Sequence, residues 1–218
     1  MTDQRKKREK GLLSDLLGFF TAENSALAER LADGFCSVEN ILGQNPTVLR
    51  EIDGITNTMA DFLHFLPQFF CAADYDRIKK GRHSSPTALL PVLDRLFRFR
   101  VKEAAFLILL GKKHKLLSCL KCGTGVSNMT AIDAERIKNH LVFEAKNACR
   151  IILAHNHPSG IAAPSDEDRR VYSCLAHDFK LLGVPLLDSI IYAGKTSYSF
   201  FLRGIIDKSG DMPYPEEL

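Results

Sequence analysis

No run of about 18 apolar residues occurs anywhere in the sequence, so no membrane-crossing helix is expected. The first residues, TDQRKKREKG after Met1, lack the apolar core of a secretory signal. The expectation is a cytoplasmic protein with no membrane partner. Charge of one sign is not in large excess either. The net charge of +3 is mild, and composition alone does not announce a nucleic-acid binder. Paired cysteine half-sites are also missing. The six cysteines (Cys36, Cys71, Cys119, Cys122, Cys149, Cys174) are scattered, mostly within apolar segments, as expected of reduced, buried thiols. Cys119-Leu120-Lys121-Cys122 is a lone CxxC. No second half-site follows it, and its setting is a strand-like apolar run rather than the start of a βαβ redox unit. Strand packing is therefore its reading. No internal repeat stands out.

The chain does have enough apolar residues, 45% of 218, for one large domain or two small ones. Residues 1–10 are mostly charged and read as a solvated tail, or as a basic arm that seeks nucleic acid. Residues 11–80 read as a helical domain. Leu12-Leu13, Leu16-Leu17 and Phe19-Phe20 recur at helical spacing. Leu27, Leu31 and Phe35 continue the pattern after a Ser25 cap, with Gly34 as the stop. Residues 81–100 read as a linker and connecting helix: a basic, flexible Lys79–Ser85 stretch, then Pro86 opening a helix with Leu89, Leu90, Leu93, Leu96 and Phe97. From 101 to 207 strands and helices mix, with strands at 106–110, 115–122, 150–154, 186–193 and 197–202 and helices at 131–146 and 166–182. Residues 208–218 read as an exposed tail. The whole is an α+β pattern behind an N-terminal helical domain.

The stretch His155–Asp168, HNHPSGIAAPSDED, carries the chemistry. The apolar, β-branched run before it reads as a buried strand. His155 and His157 fall at that strand's end, and alternation puts residues i and i+2 on one face. Pro158, Ser159, Gly160 and Pro164 make a turn. Ser165 then precedes a run with Val171, Leu175, Phe179 and Leu182 at helical spacing. It reads as an N-cap, with Asp168 at the N3 position. Ser-x-x-Asp alone is an ordinary capping signal. Two imidazoles with a carboxylate are more: they are the ligand set of an open zinc site whose fourth position is left to water.

His155-x-His157, seven residues, Ser165, two residues, Asp168 is the spacing that resembles the JAMM (MPN+) metallopeptidases. The form His-Asn-His-Pro-Ser-Gly is similar to the RadC branch of that superfamily. The similarity spans about residues 86–206, including Gly123-Thr124, Leu181–Val184 and Leu187–Ile191. It departs at Ser189, Gly111 and Ile161-Ala162-Ala163. The resemblance implies a JAMM/MPN-like, cytidine-deaminase-like mixed sheet flanked by helices, with 101–207 as the metal-dependent hydrolase domain. It implies Zn²⁺ on His155, His157 and Asp168. It further implies that Glu103, just before Phe106–Leu110, moves the proton of a zinc-activated water. Ser165 would then donate to the developing oxyanion.

Residues Leu49–Ala60 are similar to a helix-hairpin-helix module, whose turn amides reach phosphate oxygens. Here Thr56 stands for the usual second glycine, and Phe62, Leu63, Phe65, Leu66, Phe69 and Phe70 follow. DNA contact through this N-terminal region and a packing role both stay open, and the Phe- and Leu-rich faces suit either a homodimer or an interdomain core. Three functions follow: a zinc peptidase or isopeptidase with a peptide or protein substrate and a link to DNA repair, a metal-dependent nuclease in repair or recombination, and a non-catalytic DNA or protein adaptor.

Overall fold

Ala104–Leu110 is an unbroken apolar run and Arg150–Asn156 has Ile-Ile-Leu-Ala at its centre, and both become strands buried at every position. Such runs suit a sheet covered on both faces, where no alternation is required. The structure is a computed structural model. It describes residues 3–73, 75–124, 137, 139–144, 147–194, 196–206 and 213–215. The chain divides into two compact units, Met1–Ala73 and Asp74–Leu218.

The first unit is helical: α1 (Asp3–Leu17), α2 (Asn24–Phe35), α3 (Val38–Leu42), α4 (Pro46–Arg50) and α5 (Asn57–Ala73). Leu13, Leu17, Leu27, Leu31, Ile41, Leu49, Met59 and Leu63 make its core. Residues 3–10 are the first turns of α1 rather than a tail. Lys, Arg and Glu are good helix formers, and docking of Leu13 and Leu17 propagates the helix backwards through them. Glu9 accepts the Val38 N–H, and Lys10 pairs with Asp33 at 3.4 Å. The ends of α2 also differ from expectation. Glu23 is its N-cap in place of Ser25, and Gly34 lies inside the helix. Cys36, left-handed at φ 63°, forms the C-cap by donating its N–H to Ala32. Between α4 and α5, Gly54 takes φ 87°, a conformation glycine adopts without strain.

The second unit opens with α6 (Tyr75–Lys80) and α7 (Pro86–Phe97). Among the described residues six strands follow: β1 (Ala104–Leu110), β2 (Leu116–Thr124), β3 (Arg150–Asn156), β4 (Leu186–Ala193), β5 (Thr196–Ser199) and β6 (Gly204–Ile205). A helix, α8 (Asp166–Leu181), connects β3 to β4. The sheet order is β2-β1-β3-β4-β5-β6. Among the described strands β3 and β4 alone are parallel neighbours, which is why a helical crossover joins them. Leu89, Val92, Leu93 and Phe97 of α7 pack on one face, against Ile108, Leu110, Ile152 and Ile190. Phe179, Val171 and Leu175 of α8 pack on the other, against Leu107, Leu109, Ile151 and Leu153. This is the expected α+β architecture of helices around a mixed sheet. Most of the expected helix at 131–146 lies outside the described residues; within it, His140–Glu144 form a π-helical turn.

Two segments expected to be loose are packed. In the stretch read as a flexible linker, His83 is buried, and its ring nitrogens bond the carbonyls of Ile78 and Ala88. Its N–H reaches His114 O, and Arg82 bridges Lys115. In the stretch read as an exposed tail, Tyr214 is 2% exposed. Its hydroxyl donates to Asp188 Oδ2 at 2.7 Å, and its N–H donates to Ser84 O. The reason is Asp188, wholly buried on β4, whose carboxylate needs donors inside the core. Ser199 Oγ (2.6 Å) and the Phe201 N–H (2.9 Å) supply the others.

Burial pushes the Asp188 carboxyl up to about 6, against the pull of those hydrogen bonds. A carboxyl whose folded pKa is raised contributes stability that is complete below its unfolded value of about 4 and lost as pH rises through the folded value. Asp188→Asn removes this dependence. The variant is expected to be less stable than wild type at pH 5, with the deficit shrinking by pH 7.5. Thermal melts of both proteins across that range check it, and parallel curves would contradict it.

Candidate metal centre

β3 ends where its alternation presents His155 on the α8 side of the sheet, with Ile151 and Leu153. The His157 N–H continues the ladder by donating to Tyr192 O at 2.8 Å. The chain then turns through Gly160 (φ 80°) and enters α8 at Ser165. Ser165 Oγ accepts the Asp168 N–H at 3.1 Å, and Asp168 Oδ2 accepts the Ser165 N–H at 2.7 Å. This reciprocal capping box is the one expected from Ser-x-x-Asp. It leaves Asp168 Oδ1 facing His155, with Oδ2 on the His157 side.

The three side chains converge. His155 Nε2 lies 3.1 Å from His157 Nε2 and 3.0 Å from Asp168 Oδ1, and His157 Nε2 lies 3.6 Å from Asp168 Oδ2. His157 Nδ1 is 2.9 Å from Ile161 O. A carbonyl only accepts, so Nδ1 carries the proton, and Nε2 of the neutral ring holds its lone pair toward His155. Two ring nitrogens and a carboxylate aimed at one point repel each other unless a cation or proton sits among them. Zinc bonds of about 2.1 Å at tetrahedral angles put neighbouring donor atoms about 3.4 Å apart. The observed separations bracket that value, so the residues present fit a zinc ion. His155 Nδ1 is buried and has no hydrogen-bond partner among the described residues. Burial raises the Asp168 carboxyl, yet hydrogen bonds from His155 and Ser165 and the charge of His155 outweigh it. They hold the group well below the usual carboxylate range. An anionic Asp168 at neutral pH is what a metal ligand requires.

The other expected site residues are placed as follows. Glu103 is half-buried and immediately precedes β1, in which Ala105 pairs with His155. Among the described residues it makes no hydrogen bond to the three ligands. Ser165 directs its hydroxyl proton to Asp168 Oδ2, at 2.6 Å. Cys119 and Cys122 lie on opposite faces of β2, in the two separate cores, and so share no ligand point. Burial pushes the Cys119 thiol up to about 11, although Arg95 draws it down, which makes it a poor nucleophile. Two residues escaped the sequence reading. Ile161 acts through its carbonyl, which no sequence pattern marks. Asn156, a buried polar residue at the end of an apolar strand, did leave a signal.

A helix-covered mixed sheet with a His-x-His pair at a strand end and an aspartate in the next helix cap defines a JAB-type domain. Residues 83–205 match the model of the RadC-like JAB domain, and the chain belongs to that family. It is similar to UPF0758 proteins of Aliivibrio salmonicida (29% identity over 83% of this chain and 80% of the relative) and Shewanella halifaxensis (28% over the same shares). A UPF0758 protein of Idiomarina loihiensis is 28% identical over 89% of this chain and 88% of its own. Among the described residues no helix is long and apolar enough to cross a membrane.

Elemental analysis of purified protein is expected to give about one zinc per chain, lost in His157→Ala. Ser165→Ala is expected to keep the metal while losing about 1 kcal/mol of stability with its cap. A wild type that takes up no zinc would remove the metal centre.

Proposed function

We propose that this protein is a zinc-dependent hydrolase of peptide or isopeptide bonds. The observation that supports it is the convergence of two imidazoles and a carboxylate, three donors in all among the described residues. Structural zinc sites are commonly closed by four protein ligands, whereas three leave a position for chemistry. His155, His157 and Asp168 would hold the ion. Bound there, it would lower the pKa of a water toward about 7 and polarise a carbonyl.

The remaining roles belong to the chain. The Ile161 carbonyl holds His157 in the tautomer that ligates. The capping box keeps Asp168 anionic and aimed. Glu103, just before the strand paired to His155, takes the proton of the attacking water and returns it to the leaving amine. Ser165 stabilises the oxyanion by turning its hydroxyl from Asp168 toward substrate.

Glu103→Gln is expected to keep about one zinc per chain and to lose hydrolysis by about 10²–10⁴-fold. The assay uses a fluorescence-quenched peptide library and its ε-lysyl isopeptide counterpart. Undiminished turnover by that variant would sink this mechanism.

A nucleic-acid partner, with a role in DNA repair, is the second reading. It is better supported in the second unit than at the α4–α5 turn. That turn is flanked by Glu51, Asp53 and Asp61, and Arg30 binds the Asp53 carbonyl. In the second unit, the Arg82–Lys115 bridge joins two basic stretches, and Lys79, Lys80, Arg82, Lys112, Lys113 and Lys115 are all exposed. Replacing Lys112, Lys113 and Lys115 by Ser is expected to flatten the log–log salt dependence of duplex DNA binding by about 0.9 per lost phosphate contact. Fluorescence anisotropy checks it, and an unchanged slope would remove this surface from the reading.

A further inference from the structure

Asn156 stands between the two histidines in sequence but faces the opposite side of the sheet. His155 looks toward α8, whereas Asn156 lies on the α7 side with Ile152 and Ala154. It is 3% exposed among apolar neighbours. A carboxamide in that setting needs partners for both its acceptor and its donors. Its Oδ1 accepts the Ala104 N–H at 2.8 Å. Its Nδ2 donates to Lys102 O at 3.2 Å and to Arg100 O at 3.4 Å.

These partners are not arbitrary backbone groups. Lys102 O belongs to the peptide that enters Glu103, and Ala104 N to the peptide that leaves it. One side chain therefore holds both peptide groups on either side of the Glu103 Cα. The same residue is covalently flanked by His155 and His157. We propose that Asn156 is a positioning residue that fixes the backbone of Glu103 in register with the two histidine ligands. This rests on the hydrolase reading, in which Glu103 moves the proton. The residue type follows from the geometry. An aspartate can accept from Ala104 but cannot donate to the two carbonyls. A serine is too short to reach across, and a leucine leaves all three backbone groups unpaired in the core. Among the described residues the Glu103 carboxylate makes no hydrogen bond to His155, His157 or Asp168, so the placement of its backbone governs its reach toward them.

The test uses the full-length, zinc-loaded protein and four forms beside wild type: Asn156→Ala, Asn156→Asp, Glu103→Gln, and Asn156→Ala combined with Glu103→Gln. Zinc content and hydrogen exchange at residues 102–105 are measured first, because neither needs a substrate. Asn156→Ala is expected to keep its zinc and to lose protection at the Ala104 amide. Asn156→Asp, which preserves shape and the acceptor, is expected to keep that protection, and it carries the test should the alanine variant fail to fold. With the quenched peptide and isopeptide probes, kcat of Asn156→Ala is expected to fall about 10²-fold, as for a misplaced catalytic group, with KM unchanged. In the Glu103→Gln background the same change is expected to cost no further activity, since there is no proton carrier left to misplace. Protection at Ala104 that survives Asn156→Ala, or losses that multiply in the double variant, would overturn the proposal. A wild type that cleaves neither probe would fail the hydrolase reading alone. The exchange and zinc measurements would still decide whether Asn156 holds the Glu103 segment.

Discussion

The carboxylate of Asp168 is the point on which the rest of the centre hangs. Its Oδ2 caps the helix and lies 3.6 Å from His157 Nε2, while its Oδ1 lies 3.0 Å from His155 Nε2. Remove it, and the first turn of α8 loses the acceptor for its cap residue while the histidines lose the anion that balances them. A carboxylate is suited to both tasks because the N-terminus of a helix carries partial positive charge, so the ionised form is favoured before any metal arrives. Electrostatic preference for the anion comes from local secondary structure, and local secondary structure is stabilised by the same anion.

The second constraint is the antiparallel pairing of β1 with β3. Register fixes Ala105 opposite His155, so the residue that leads into β1 enters beside the ligands. β3 works on both of its faces. One delivers an imidazole to the centre, and the other delivers a carboxamide to the segment that carries Glu103. Burial on both sides is what makes this division useful. Neither side chain has water available to replace its partners, so each is confined to the geometry the sheet dictates.

How much of this could be read from residues alone depended on how local the cause was. The capping box, the strand before His155 and the His-x-His spacing are local, and the structure has them where the pattern placed them. The segments that differed are governed by contacts distant in sequence. Tyr214 is drawn inward by Asp188, and His83 by the carbonyls of Ile78 and Ala88 together with His114. Residues 3–10 are helical because Leu13 and Leu17 dock further along. The end of α2 at Cys36 reflects a left-handed turn taken by a residue that does not advertise it. Ile161 contributes a backbone atom, which any residue carries. Asn156 was legible in principle, since an amide at the end of Ile-Ile-Leu-Ala must find partners, but sequence could not say which.

All three donors come from the end of β3 and the crossover that links it to its parallel neighbour β4. Closing a ligand loop this short costs little chain entropy compared with gathering donors from distant elements. An ion held there would act as a staple between the end of a strand and the start of the helix that follows it. Metal occupancy would therefore be coupled mainly to the order of the crossover and α8, while the sheet is held by its own two cores. The centre is in this sense a detachable clasp on a frame that is already closed.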